Sequence, residues 1–140
     1  RATSQRHRDI NTAPSAASSQ VAADMLVWFE IPATDLARAT AFYEAVFDIT
    51  TTPEDIGDGQ PKSLLPGGIG SIAYGPDWTP SDDGIVVYLS GGDDLQAVLD
   101  RVIAHGGTIV EPKQPVDATQ GFWGRFRDTE CNIIGVLSPN

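Results

Sequence analysis

The chain has 140 residues, 41% of them apolar, and a formal net charge of −10 at pH 7. This size can bury one hydrophobic core, and no apolar run approaches the roughly 20 residues of a membrane-spanning helix, so we expect one domain without a membrane segment. Residues 24–140 carry 6 basic and 18 acidic side chains and no cluster of Lys or Arg. Such a surface repels phosphates, which argues against nucleic acid as a partner.

Residues 1–23 differ in composition from the rest of the chain. Ala, Ser, Thr and Gln dominate this stretch, which has no hydrophobic period and lacks the continuous apolar segment of a secretory signal. We interpret it as an N-terminal extension, either flexible or docked on the domain or a neighbour, and expect the folded domain at 24–140. The single cysteine, Cys131, excludes an internal disulfide and fits a reducing compartment, so we expect a cytoplasmic protein.

A strand followed by a helix opens the domain. Alternating apolar residues predict a strand over residues 27–31, which Pro32 would end. In the stretch that follows, apolar residues recur at helical spacing, and Thr34 or Asp35 would supply the N-cap oxygen. The pattern therefore predicts a helix near residues 35–47.

The same pattern recurs 59 residues further along the chain. This offset places Asp35 on Asp94, and the apolar spacing again predicts a helix, near residues 94–105. After each helix there is room for three short strands. The sequence therefore predicts two tandem β-α-β-β-β modules, at about 24–76 and 84–138.

The other strands are indicated by short apolar runs between turn residues. We expect them at 62–65, 70–74, 84–90, 108–112, 121–127 and 132–137. If the last two form a hairpin, three pairs share one face: Arg127 with Ile133, Arg125 with Gly135, and Trp123 with Leu137. Residues 75–84 would link the modules, and Trp78 in this linker is expected at the surface.

Two segments resemble the vicinal oxygen chelate superfamily, which contains glyoxalase I, bleomycin-resistance proteins and extradiol dioxygenases. They are Trp-Phe-Glu-Ile-Pro-Ala-Thr-Asp-Leu at 28–36, with Ala-Phe-Tyr at 41–43, and Phe-Arg-Asp-Thr-Glu-Cys-Asn-Ile-Ile-Gly at 126–135. The resemblance covers residues 24–138. It implies an α+β fold in which two modules form curved mixed sheets around a cavity, with the helices outside.

Two further expectations concern the family's turn and its open sheets. Cys131 stands where the family's turn usually has Gly, at a position that favours a positive φ and makes a side chain costly. Because each module must cover an open sheet, we also expect a homodimer.

The resemblance also implies where a metal would bind. In metal-using members, one ligand comes from the first and one from the last strand of each module, typically His, Gln or Glu. Here the corresponding positions hold Trp28, Ala73, Val87 and Gly135, none of which can bind a metal. We therefore expect no cofactor, with one divalent metal bound by other residues as the alternative.

Glu30 is the candidate catalytic residue. Strand alternation places it with Trp28 opposite the core face, where a partly desolvated carboxylate can act as a general base or hold a cation. The alternative is a structural Glu paired with Arg125 or Arg127 across the sheet. On the opposite module, Trp123 would offer a second ring for stacking on a flat ligand.

Two classes of function remain open. The first is a metal-independent protein that binds an aromatic or amphipathic small molecule. The second is an enzyme of the same superfamily, a lyase, isomerase, epimerase or dioxygenase, either metal-free with Glu30 as base or metal-dependent; the fold alone does not decide. In the first case the expected ligand contacts are Trp28, Glu30, Ala73, Val87, Trp123, Arg125 and Gly135.

Overall fold

The computed structural model describes residues 25–55, 60–117 and 121–140, so the N-terminal extension at 1–23 lies outside the described residues. Within these ranges the helices are α1 (Leu36–Phe47) and α2 (Leu95–Ala104). The strands are β1 (Phe29–Ala33), β2 (Thr52–Glu54), β3 (Lys62–Leu64), β4 (Gly70–Tyr74), β5 (Tyr88–Ser90), β6 (Thr108–Pro115), β7 (Phe122–Arg127) and β8 (Ile133–Ser138). Neither of these helices is long and apolar enough to cross a membrane.

Each module folds into its own four-stranded mixed sheet. The strand order is β1-β4-β3-β2 in the first sheet and β5-β8-β7-β6 in the second. In both, the first and last strands of the module run parallel, and the other neighbours are antiparallel. This confirms the predicted α+β fold of two β-α-β-β-β modules in one chain.

One hydrophobic core joins the two modules. Phe42 and Phe47 of α1 contact Phe126 of β7, with ring centres 6.0 and 6.2 Å apart. The buried side chains of both helices belong to the same cluster as those of β1, β4, β7 and β8. Burial of this shared apolar surface favours a fixed arrangement of the modules.

Both helices begin at an aspartate. The side chain of Asp35 accepts a hydrogen bond from the backbone N–H of Arg38, and Asp94 accepts one from Gln96. These bonds satisfy donors that have no partner inside a helix. The predicted helices are confirmed, and Asp35 rather than Thr34 is the first N-cap.

Pro32 does not end the first strand, as the sequence had suggested. It lies inside β1, which continues to Ala33. Because β1 is the outermost strand of its sheet, a proline there can turn its missing N–H away from the ladder. The carbonyl of Pro32 accepts a hydrogen bond of 2.8 Å from Asn132 Nδ2.

The offset of the repeat differs between strand and helix. Ile31 and Leu89 occupy equivalent core-facing positions in the two parallel strand pairs, an offset of 58 residues. The N-caps Asp35 and Asp94 are offset by 59. The predicted offset is therefore wrong by one residue for the strand, because the second strand-to-helix loop is one residue longer. Gly92 in that loop has a φ of 70°, which glycine adopts without strain.

The predicted hairpin of the last two strands is confirmed residue by residue. Arg127 pairs with Ile133, Arg125 with Gly135 and Trp123 with Leu137. Cys131, in the turn, has a φ of 72°, so the expected positive φ is present. The second module's first strand, however, begins only at Tyr88 and not at residue 84.

Glu130 of the same turn holds the second module against the first. Its side chain is fully buried, and one carboxylate oxygen accepts hydrogen bonds of 3.0 and 2.9 Å from the backbone N–H groups of Thr34 and Asp35. The other oxygen lies 2.8 Å from Nε of Arg38. Burial raises the pKa of Glu130, but the hydrogen bonds from Arg38, Asp35 and Thr34 outweigh it and lower the pKa from 4.5 to about 2.

We expect Cys131→Gly to leave the free energy of unfolding unchanged or to raise it by about 1 kcal/mol, because glycine adopts this φ without a Cβ clash. Urea denaturation at pH 7 measures the change. Cys131→Ala is the matched control, since it removes the thiol and keeps the Cβ, and it should give no gain. A clear loss of stability in Cys131→Gly would contradict this explanation.

We expect Glu130→Gln to lower the free energy of unfolding at pH 7 by about 3 kcal/mol, since it removes a buried charge from its partners. A pKa lowered in the folded state contributes stability above the ordinary value, and this contribution is lost as the pH falls. The difference between wild type and variant should therefore shrink from pH 4.5 towards pH 2. Urea denaturation across that range tests this, and a difference independent of pH would contradict it.

Candidate functional site

Each sheet has one face that points away from the helices, which we call its open face, although Ser71 and Ala73 on the first of these faces are buried. The first open face comprises Glu30, Lys62, Ser71 and Ala73, which are neighbours in the register of β1, β3 and β4. The second open face comprises Tyr88, Trp123, Arg125 and Gly135, which are neighbours in the register of β5, β7 and β8. Side-chain alternation therefore collects most of the predicted site residues on two surfaces.

Glu30 on the first open face is held by two donors. Lys62 Nζ lies 2.7 Å from one carboxylate oxygen, and Trp78 Nε1 donates to the other at 2.6 Å. Desolvation raises the pKa of Glu30, but the hydrogen bonds from Lys62 and Trp78 outweigh it, so the net pKa is lowered. The paired structural Glu is thus observed, but its cation is Lys62 rather than Arg125 or Arg127.

Trp78 is not the surface residue that the linker composition suggested. Besides its hydrogen bond to Glu30, its ring lies 4.7 Å from the ammonium nitrogen of Lys62 and packs close to Gly75. The linker therefore folds back on the first open face. The three side chains form one charged, hydrogen-bonded group that leaves little of Glu30 free for a ligand.

A cavity of about 210 Å³ lies between β1 and the start of β8, beside this group. Its walls come from β1, the linker and the start of β8, and they include Glu30, Val87 and Ile133. Trp28 precedes β1, is 43% exposed and does not line this cavity. Its side chain makes a minor contribution to the lowered pKa of Glu30.

The second open face carries a cavity of about 270 Å³, which we call the aromatic cavity. It is lined by Tyr88, Val116, Trp123, Arg125 and Leu137. The Arg125 guanidinium carbon lies 5.1 Å from the centre of the Trp123 ring and 5.5 Å from that of Tyr88. Its Nε donates a hydrogen bond of 2.6 Å to the Tyr88 hydroxyl. Both ring contacts are at cation–π distance and order the guanidinium.

Tyr88 is the site residue that sequence reasoning missed. The corrected offset makes Tyr88 the counterpart of Glu30 on its sheet, whereas the predicted offset of 59 gives Leu89. Its ring lies against Gly135 so closely that any Cβ there would overlap it. A correct count of the second strand-to-helix loop would have revealed it, because alternation then turns Tyr88 toward the open face.

The residues present do not fit a metal centre. Among the residues that the structure describes, no three His, Cys, Asp or Glu side chains come together. The space in front of Gly135 is filled by the Tyr88 ring, and both oxygens of Glu30 already accept hydrogen bonds. The donor set that Zn²⁺ or Fe²⁺ requires is therefore missing from this part of the chain.

The structure separates the predicted site residues into groups. Trp123, Arg125 and Gly135 share the second open face, while Glu30 and Ala73 share the first. Val87 lines the cavity between the sheets, and Trp28 lies at the edge of the first module. Their roles in ligand contact stay predictions.

Comparison with known proteins identifies the family. A model of the Glyoxalase/Bleomycin resistance protein/Dioxygenase superfamily matches residues 25–135. This chain therefore belongs to that superfamily, as its two sequence segments suggested. No curated protein matches it significantly.

Solved structures share its fold at low sequence identity. A glyoxalase/bleomycin resistance protein/dioxygenase domain from Frankia sp. EAN1pec has a TM-score of 0.64 at 17% identity, covering 84% of this chain and 98% of that one. An antibiotic-binding protein from Streptomyces sp. CB03234 has a TM-score of 0.56 at 20% identity, with 84% and 97% covered. A genomically encoded fosfomycin resistance protein from Listeria monocytogenes has a TM-score of 0.57 at 16% identity, with 79% and 87% covered.

We expect Trp78→Phe to lower the free energy of unfolding by about 1–3 kcal/mol and to raise the pKa of Glu30 towards its ordinary value, because a hydrogen bond to a charged group is lost. Urea denaturation and an NMR titration of the carboxyl carbon measure the two effects. Trp28→Phe is the matched control and should change stability less, since Trp28 is the more exposed indole. Unchanged stability together with an unchanged pKa would refute the role given to Trp78.

Proposed function

We propose that this chain is a metal-independent protein that binds a small aromatic molecule in the aromatic cavity. The observation that carries the proposal is the arrangement of Trp123, Arg125 and Tyr88 around an open space of about 270 Å³. Half-buried aromatic rings beside a concave space offer apolar area and stacking geometry to a flat ligand. The proposed ligand contacts are therefore concentrated on the second module.

The superfamily and its members support a binding role. The family description includes bleomycin-resistance proteins, and one structural neighbour is an antibiotic-binding protein. By analogy, binding of a small organic molecule is a function that this fold can host. The analogy concerns the class of ligand only, because the neighbour shares 20% of its sequence with this chain.

An enzymatic role with Glu30 as general base receives less support. The carboxylate is paired with Lys62 and hydrogen-bonded to Trp78, and its lowered pKa makes it a weaker base near neutral pH. Both partners stabilise the charged form of Glu30 and so oppose its protonation. We therefore place Glu30 among the structural residues of the first open face.

The proposal includes a homodimer in the cytoplasm. Four apolar side chains are exposed just before β1 and β5, namely Met25, Leu26, Val27 and Ile85. A second copy that covered them would remove this apolar surface from water. Light scattering at micromolar concentration tests the assembly, and a monomeric mass would refute it.

We expect Trp123→Ala to weaken binding of the neutral planar probe 2-naphthamide about five- to tenfold, because it removes stacking worth roughly 1 kcal/mol. Isothermal titration calorimetry measures the affinity. Ile103→Ala is the matched control, since Ile103 is an apolar side chain on α2, 62% exposed and outside the cavity. Trp28→Ala in the same titration tests the sequence-based prediction that Trp28 also contacts the ligand.

Treatment with EDTA should leave the affinity of the wild type for 2-naphthamide unchanged, as a site without metal ligands requires. No binding by the wild type, or equal binding by wild type and Trp123→Ala, would refute the proposed site. Stoichiometric transition metal in protein purified without chelator would refute metal independence.

A further inference from the structure

Arg125 differs from the other cations that the structure describes. Four of the six make salt bridges, namely Arg38, Lys62, Lys113 and Arg127. Arg101 donates to the backbone carbonyl of Val46 at 2.7 Å. In the described part of the chain, only Arg125 faces neither a carboxylate within salt-bridge distance nor a carbonyl; its hydrogen bond is to the Tyr88 phenol.

The chain has 19 acidic and 9 basic side chains, so carboxylates outnumber cations about two to one and Arg125 would be expected to form a salt bridge. Glu111 is the partner of Arg125 in the register of β6 and β7, yet it accepts a hydrogen bond from Gln114 at 3.3 Å and forms no salt bridge with Arg125 within the described ranges. The guanidinium group of an arginine is well suited to form a salt bridge with a nearby carboxylate. Here the neighbouring acidic side chain is engaged elsewhere.

The orientation of Arg125 leaves its outer edge available. Nε donates to the Tyr88 hydroxyl, and the guanidinium carbon lies within cation–π distance of the Tyr88 and Trp123 rings. The two terminal nitrogens make no hydrogen bond to any residue that the structure describes. A planar fork held in this way can donate two parallel hydrogen bonds to a carboxylate.

We propose that the ligand of the aromatic cavity is a flat aromatic acid, whose ring stacks beside Trp123 and whose carboxylate is bound by the terminal nitrogens of Arg125. This inference rests on the proposed function and names the class of its ligand. The net charge of −10 disfavours the approach of an anion, so a preference for an acid has to come from local contacts. Arg125 is the group positioned to supply them.

The test compares two ligands of nearly equal shape, 2-naphthoate and 2-naphthamide, by calorimetry on the full chain. Wild type should bind the acid about tenfold more tightly than the amide, as a charge-assisted bidentate contact predicts. Arg125→Gln should abolish this preference, so that the acid and the amide bind the variant with equal affinity. Arg127→Gln is the matched control: Arg127 lies two residues along the same strand, is paired with Asp82, and should not be needed for the preference.

The possible outcomes distinguish a failure of the proposed aromatic acid ligand from a failure of the proposed binding function. If wild type binds the amide as well as the acid, the inference fails while the proposed function stands. If the preference persists in Arg125→Gln, or disappears equally in Arg127→Gln, the role of Arg125 is refuted. If neither ligand binds, the proposed function fails and the inference with it. The comparison of the two ligands on wild type needs no variant, so a folding defect cannot obscure it.

Discussion

The arrangement of the two modules depends on the buried carboxylate of Glu130. A buried charge has to be compensated by hydrogen-bond donors. Here the donors are the backbone N–H groups of Thr34 and Asp35, just before α1, together with the side chain of Arg38. The turn that carries Glu130 is therefore fixed on the first module. A second contact fixes the same turn: the hydroxyl of Tyr43 on α1 donates a hydrogen bond of 2.6 Å to the buried carboxylate of Asp128. The hydrophobic core lies between the sheets and the helices. The opposite face of each sheet is therefore not needed for core packing and can carry a ligand site.

Much of the fold could be predicted from the sequence because its helices and strands are determined by the spacing of apolar residues within short segments. The two helices follow from apolar spacing and an aspartate N-cap, and the last hairpin follows from two short apolar runs on either side of a turn. Pro32 and the offset of the repeat could not be predicted in the same way. Whether a proline ends a strand depends on the position of that strand in the sheet, and a loop with one extra residue leaves no periodic signal.

The candidate site could be predicted only in part. Trp123, Arg125 and Gly135 were brought together by hairpin register alone, whereas the partners of Glu30 come from distant parts of the chain. Lys62 reaches it across the sheet, and Trp78 arrives from an irregular linker that no periodicity describes. Tyr88 was missed through the same one-residue error that affected the repeat. Contacts that depend on loop length or on the path of a linker are thus the ones that sequence patterns leave open.

We propose that the chain binds its aromatic ligand on the second module and not around Glu30. NMR mapping with 2-naphthoate tests it most directly, since indole and arginine Nε–H signals report on each candidate group separately. We expect saturable shifts of the Trp123 indole and the Arg125 Nε–H signals, while the Trp78 indole signal keeps its position. Shifts of the Trp78 and Trp28 indoles, with Trp123 and Arg125 unchanged, would contradict it and place the ligand on the first module.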